Sequence, residues 1–176
     1  MKKYTVLLVL ALFLVLSQLA FGQGPKFGVG GVLALPQGNW SDLTSSIGFG
    51  GTAQALLPMG ENMAVGAQVG YITFGGEKVV GLDYTISAIP MLAVGRYYLG
   101  IPGGPRPFVG ALAGFHLMRI EWSPAFLGVD NANSTEFSFG PMGGIEIGGL
   151  ELVAFYMLIS DANYLGARIG FNFGGL

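Results

Sequence analysis

The sequence has no cysteine and a single histidine among its 176 residues. Without cysteine there is no disulfide framework, no thiolate metal site and no cysteine nucleophile. One histidine leaves little material for a zinc site or for base catalysis. We therefore expect no metal and no other cofactor, and we assign no catalytic residue.

Charge is also scarce. Charged residues make up 10% of the chain, whereas an average soluble domain has roughly 25%. Eight Lys and Arg residues stand against ten Asp and Glu residues, so a nucleic-acid partner is not expected. What is abundant is hydrophobic content at 52%, with 12% aromatics and 31 glycines. Such a composition is not that of a disordered chain.

The first 22 residues have the pattern of a secretory signal. Lys2 and Lys3 precede an unbroken apolar run over residues 6–16, and Ala20-Phe21-Gly22 has the small-x-small form of a cleavage site. The run would span about 16 Å as a helix, which is too short for a bilayer core. We therefore predict an exported chain with a cleaved signal peptide at residues 1–22 and a single mature domain at residues 23–176, whose fold follows from the pattern below.

Beyond the signal, apolar and small or polar residues alternate with a period of two. In the last segment one parity holds Leu165, Ala167, Ile169, Phe171 and Phe173, and the other holds Tyr164, Gly166, Arg168, Gly170 and Asn172. Eight segments of strand length follow one another, at 26–35, 47–57, 63–74, 84–98, 107–122, 135–147, 150–160 and 164–174. Segments 84–98 and 150–160 are apolar on both faces, and their length and neighbours indicate strands.

Lipid cannot hydrogen-bond backbone amides, so strands that cross a membrane must close into a barrel. The pattern therefore predicts an all-β fold, an eight-stranded antiparallel up-and-down transmembrane β-barrel. Glycine clusters at the presumed inward positions, where a narrow, curved wall leaves little room.

The connections alternate in length and polarity. Short Gly/Pro/Asn-rich turns lie at 58–62, 100–106 and 148–149, and longer polar stretches lie at 36–46, 75–83, 123–134 and 160–163. Tight turns at one end and longer loops at the other are typical of outer-membrane barrels, whose long loops face outward. An extracellular ligand would meet the loops at 36–46, 75–83 and 123–134.

Polar side chains at presumed inward positions form a candidate cluster in the lumen. Arg96 and Glu146 lie near the tight-turn end of their strands, so we expect them to meet across the lumen. Such a pair would act as a plug that satisfies buried charge, or alternatively as a gate. His116 is interpreted as a lumen or wall histidine rather than a catalytic base. The full candidate set is Gln54, Gln68, Arg96, His116, Glu146, Arg168 and Asn172.

Several aromatic residues end predicted strands, where rings at a membrane interface are expected. They are Tyr97, Tyr98, Trp122, Phe171 and Phe173.

Three stretches, Ala88 to Leu99, Arg106 to Phe115 and Tyr164 to Phe173, together resemble the small outer-membrane protein β-barrel domain family of porin-like, OmpX/OmpW-type barrels. The resemblance implies an eight-stranded barrel of the Gram-negative cell outer membrane, surrounded by outer-membrane lipid and folded by the barrel-assembly machinery. It implies no common catalytic residues.

The sequence favours a non-enzymatic protein with a structural or surface-interaction role and a largely filled lumen. One alternative is porin-like passage of small or hydrophobic solutes, for which Leu92, Val94, Leu112 and Met142 would line an apolar path. A second alternative is a secreted soluble lipid-binding barrel. Gly38-Asn39-Trp40 has the G-x-W form found near the start of soluble lipocalins. A third is a lipid-modifying enzyme.

Overall fold

The computed structural model describes residues 24–38, 47–75, 83–100, 104–123, 132–160 and 162–174. No helix in these ranges is long and apolar enough to cross a membrane. The predicted signal peptide lies outside the described residues, and its cleavage stays a prediction. The eight strands are β1 Lys26–Pro36, β2 Gly48–Met59, β3 Met63–Gly75, β4 Asp83–Tyr98, β5 Arg106–Ser123, β6 Ala132–Ile147, β7 Leu150–Ile159 and β8 Tyr164–Gly174.

The strands close into a barrel in chain order, and every neighbouring pair is antiparallel. Closure is made by β1 and β8, which pair from Lys26 with Gly174 to Pro36 with Tyr164. The predicted eight-stranded antiparallel barrel is confirmed. The largest shift in a strand boundary is at β6, which begins at Ala132 rather than residue 135.

The two ends of the barrel differ. At the turn end, short connections join β2 to β3, β4 to β5 and β6 to β7, and the first and last strand residues, Lys26 and Gly174, also lie here. Ile147 pairs with Leu150 across a two-residue turn. Its glycines, Gly148 and Gly149, have φ of 56° and 90°, as a type I′ hairpin turn requires. The opposite end, where β1, β3, β5 and β7 finish, is called the loop end below.

Inward and outward faces separate as the alternation predicts. The inward face carries the buried apolar core, with Phe74 and Phe108 almost completely buried. The outward face exposes large apolar side chains such as Phe49 at 61% and Ile169 at 56%. β7, whose pattern is apolar on both faces, follows the same rule. Leu150, Leu152 and Ala154 are exposed, and the alternate residues Glu151, Val153 and Phe155 are buried.

Inward glycines lie where the next strand comes very close. A Cβ atom added at Gly50 or Gly140 would overlap the backbone carbonyl oxygen of Tyr71 or Tyr156 on the neighbouring strand. At the outward Gly31, the nearest atom to such a Cβ is 4.0 Å away. The tight curvature of a small barrel therefore demands glycine on the concave face.

The strands are unequal in length. β4, β5 and β6 have 16, 18 and 16 residues, while β1, β7 and β8 have 11, 10 and 11. The extra residues lie at the loop end, since β5 and β6 remain paired as far as Ile120 with Ala132, whereas the last pair of β6 with β7 is Ser138 with Ile159. We call the extension, residues 83–87, 119–123 and 132–137, the projecting sheet.

Candidate functional site

A network of polar side chains crosses the lumen in its turn half, and Glu151 stands at its centre. Glu151 is fully buried and accepts hydrogen bonds from the guanidinium groups of Arg96 on β4 and Arg168 on β8. Both arginines are only 3% exposed. One carboxylate thus bridges two cations from opposite sides of the barrel, which ties β4, β7 and β8 together.

Neutral side chains extend the hydrogen bonding around this centre. Arg96 Nη2 donates to Gln54 Oε1 at 2.9 Å, and Arg168 Nε donates to Thr52 Oγ1 at 2.7 Å. Asn172 Nδ2 donates to Glu151 Oε2 at 2.9 Å and accepts from Gln54 Nε2 through its Oδ1 at 2.8 Å. The Arg96 guanidinium also lies 4.6 Å from the centre of the Phe108 ring, a cation–π contact.

Glu146 forms a second branch of the network, nearer the turn end. It accepts from Lys26 Nζ at 2.8 Å, from the Tyr98 hydroxyl at 3.2 Å and from Asn172 Nδ2 at 3.1 Å. Asn172 therefore links the two branches. Lys26 is the least buried member, with 20% of its side chain exposed.

The expected direct contact between Arg96 and Glu146 is wrong. Both residues belong to the network, but Arg96 contacts Glu151 and Gln54, and Glu146 contacts Lys26, Tyr98 and Asn172. The reason is the hairpin register, which places Glu146 and Glu151 side by side on β6 and β7. Two adjacent carboxylates repel each other unless cations surround them, and the three cations divide between them.

Tyr98 also differs from its predicted role. It does not face outward as an interfacial ring, because it is 4% exposed and its hydroxyl bonds Glu146 inside the barrel. Tyr97, Phe171 and Phe173 do face outward and are about half exposed, at 48%, 52% and 50%. The side chain of Trp122 lies outside the described part of the structure.

A second polar cluster lies in the loop half of the lumen, around His116. Its Nδ1 is 2.8 Å from Ser138 Oγ and its Nε2 is 2.9 Å from the Tyr164 hydroxyl. Ser138 Oγ is also 3.5 Å from the Gly114 carbonyl oxygen. One consistent arrangement has Ser138 donate to Gly114, His116 donate to Ser138, and Tyr164 donate to His116.

The pairing of Ser138 with His116 has two members of a hydrolytic triad, but the group on the second ring nitrogen is a phenol instead of a carboxylate. Both residues are 0% exposed, so a substrate has no access to the serine. Among the described residues no group of three or more His, Asp or Glu side chains could hold a metal ion.

Sequence reasoning missed the central residue of the network. Glu151 lies in a segment, LELVAFYMLI, whose two faces are both apolar, and this hid its inward direction. The available signal was its charge, since a lone carboxylate in an apolar transmembrane strand needs a buried partner. Gln68, predicted in the lumen, is 8% exposed and is the register partner of Gln54.

Comparisons with known structures agree with this geometry. The attachment invasion locus protein Ail of Yersinia pestis, solved with a heparin analogue, superposes with a TM-score of 0.62 at 11% identity, over 86% of this chain and 99% of that one. The outer membrane protein OprG of Pseudomonas aeruginosa gives 0.56 at 11% identity, over 89% and 99%. This chain is a small barrel of the outer-membrane type. Neisserial surface protein A has the same fold, with a TM-score of 0.52 at 16% identity, over 86% and 96%.

A scan of models of protein families finds no match, and a search of curated proteins finds no relative. The likeness therefore establishes the fold of an outer-membrane-type barrel, as the alternating pattern predicts.

Proposed function

We propose that this chain is an integral outer-membrane protein, non-enzymatic and non-conducting, whose surface at the loop end interacts with partners outside the cell. The outer wall supports the membrane location. The outward face of the barrel is a continuous band of exposed Phe, Val, Leu, Ile and Met side chains. A soluble lipid-binding barrel would instead have a polar outer face and an open apolar interior.

The closed interior carries the proposal for a non-conducting barrel. Glu151, Arg96 and Arg168 join across the turn half of the lumen. The residues that would line an apolar passage, Leu92, Val94, Leu112 and Met142, are between 2% and 6% exposed and belong to one packed core cluster. A path for solutes would have to open both the polar network and the packed apolar core.

The projecting sheet supports an interaction role. Residues 132–137 of β6 pair with β5 but extend past the last pair with β7, so within the described residues one edge of this segment has no strand partner. An unpaired edge can add a strand from another chain through backbone hydrogen bonds. Attachment is named for Ail, which has the same fold, and we extend it to this chain only as part of this proposal. Insertion would depend on the barrel-assembly machinery.

Planar-bilayer recording on refolded protein tests the closed lumen. We expect no stepwise conductance from the wild type. Arg96→Ala should lower the melting temperature by about 5 °C or more, because Glu151 loses one buried partner, and should still show no channel. A well-folded Arg96→Ala protein with a new conductance would show that the network is a gate, and conductance by the wild type would favour solute transport.

A further inference from the structure

A row of polar side chains crosses the outer wall of the barrel near the loop end. The strand registers align Thr73 on β3 with Ser87 on β4, Ser87 with Arg119 on β5, and Arg119 with Asn133 on β6. All four share the outward parity of their strands. Arg119 is an exposed residue of this row, and the register places a hydroxyl and an amide side chain on either side of it.

This row marks the edge of the apolar band. One step toward the turn end on the same face lie Tyr71, Ile89 and Leu117, and outward residues beyond them on β5, such as Phe115 and Val109, are apolar. Polar groups directly above an apolar band lie at the level of lipid head groups. With the loop end facing outward, as in the proposed function on which this inference rests, Arg119 lies where the outer leaflet presents its phosphates.

The wall is concave at this point. A notch of about 380 Å³ lies between these residues, with Tyr71, Ile89 and Leu117 on the apolar side and Ser87, Arg119 and Thr135 on the polar side. Ser87 is only 7% exposed although it faces outward, which shows that its neighbours form walls above it. The notch therefore combines a cation and hydroxyl groups with an apolar floor.

We propose that this notch binds the phosphate-bearing head group of an outer-leaflet lipid. Arg119 holds the phosphate through its paired N–H donors, Ser87 and Asn133 donate further hydrogen bonds, and the acyl chains descend over Tyr71 and Ile89. A membrane lipid fits better than a soluble anion, because the notch joins its polar residues to the apolar Tyr71, Ile89 and Leu117, which a free anion would leave unused. The notch shares Asn133 and Thr135 with the unpaired segment of β6. Lipid binding would use their side chains on the outer wall, whereas strand addition would use the backbone, so the two roles are independent.

Native mass spectrometry of the refolded barrel, released from nanodiscs of phosphatidylcholine with a minor fraction of diphosphoryl lipid A, tests the site. We expect the wild type to retain lipid A in preference to phosphatidylcholine and Arg119→Gln to bind lipid A about tenfold more weakly. Arg106→Gln is the matched control, since it removes the same charge near the turn end, and it should leave retention unchanged.

Equal losses in Arg119→Gln and Arg106→Gln would overturn the site, because net charge alone would explain them. Displacement of lipid A by millimolar inorganic phosphate would assign the notch to soluble anions instead. The shift in gel mobility on boiling must be retained, and its absence in the wild type would count against the membrane barrel itself. If Arg119→Gln fails to fold, the double variant Ser87→Ala and Asn133→Ala should show the weaker binding, and unchanged retention there would refute the proposal.

Discussion

At the scale of single residues, the interior depends on how two adjacent carboxylates are neutralised. Glu151 is fully buried between two guanidinium groups, whereas Glu146 faces the partly exposed Lys26. A buried charge that loses its counter-charge is costly, and a pair that water reaches is weak. The two acids should therefore differ strongly in their contribution to stability, although they are register partners.

We expect Glu151→Gln to lower the free energy of unfolding by about 3–5 kcal/mol, because two buried arginines lose their counter-charge. Glu146→Gln should cost about 1 kcal/mol, since its partner Lys26 is partly solvated and Tyr98 can still donate to the amide oxygen. Urea titration of refolded protein in lipid vesicles, followed by the gel mobility of the folded form, measures both. Equal losses would mean that Glu151 has no special role.

Glycine positions on the two faces give a matched pair of substitutions. A Cβ at Gly170 would lie 2.8 Å from Arg168 Nη2 and 2.9 Å from the Val29 carbonyl oxygen, whereas at Gly31 the nearest atom is 4.0 Å away. Gly170→Ala should therefore destabilise the barrel by about 1–3 kcal/mol through overpacking. Gly31→Ala should change the free energy of unfolding by about 0.5 kcal/mol or less. A larger loss at Gly31 in the same titration would contradict the curvature argument.

At the scale of elements, the alternation of apolar and small residues predicted the strands because each has one lipid face and one lumen face. This logic worked best for β8, where every second residue is buried. It could not identify the partner of Arg96, because contacts across the lumen depend on register and closure, which no single segment encodes. The inward direction of Tyr98 was not predicted, because its position at the end of a strand suggested an interfacial ring. Its place on the inward side of the alternation was the correct signal.

The β6–β7 hairpin gives a prediction at the same scale. Gly148 and Gly149 both have positive φ, and a Cβ at Gly149 would lie 2.8 Å from the Asn172 carbonyl oxygen. Gly148→Asn should therefore fold with normal yield, because asparagine is favoured at the first position of a type I′ turn. Gly149→Val should sharply reduce the yield of heat-modifiable protein on refolding. Equal yields for the two variants would show that the turn is not decisive.

At the scale of the whole molecule, the unequal strands give the barrel one short rim and one extended rim. The projecting sheet is reachable from outside the cell only if the loop end faces outward. Because the sequence has no cysteine, one introduced cysteine reports one position without interference.

We expect Ser134→Cys in the projecting sheet to react with a membrane-impermeant maleimide on intact cells. Glu61→Cys in the β2–β3 turn should react only after the outer membrane is opened. Both residues are exposed in the structure, so a difference in labelling reports orientation and not burial. The reverse labelling pattern would show that the turn end faces outward. Labelling of both variants in a soluble fraction would favour the secreted alternative.

The pairing of Glu146 with Glu151 also bears on how the barrel assembles. An isolated β6–β7 hairpin would carry two neighbouring negative charges on one face, and their counter-ions belong to β1, β4 and β8. Such a hairpin has no favourable way to enter hydrocarbon alone, because its ionised groups would be desolvated without compensation. We therefore expect insertion and joining of the first strand to the last to be coupled in this chain.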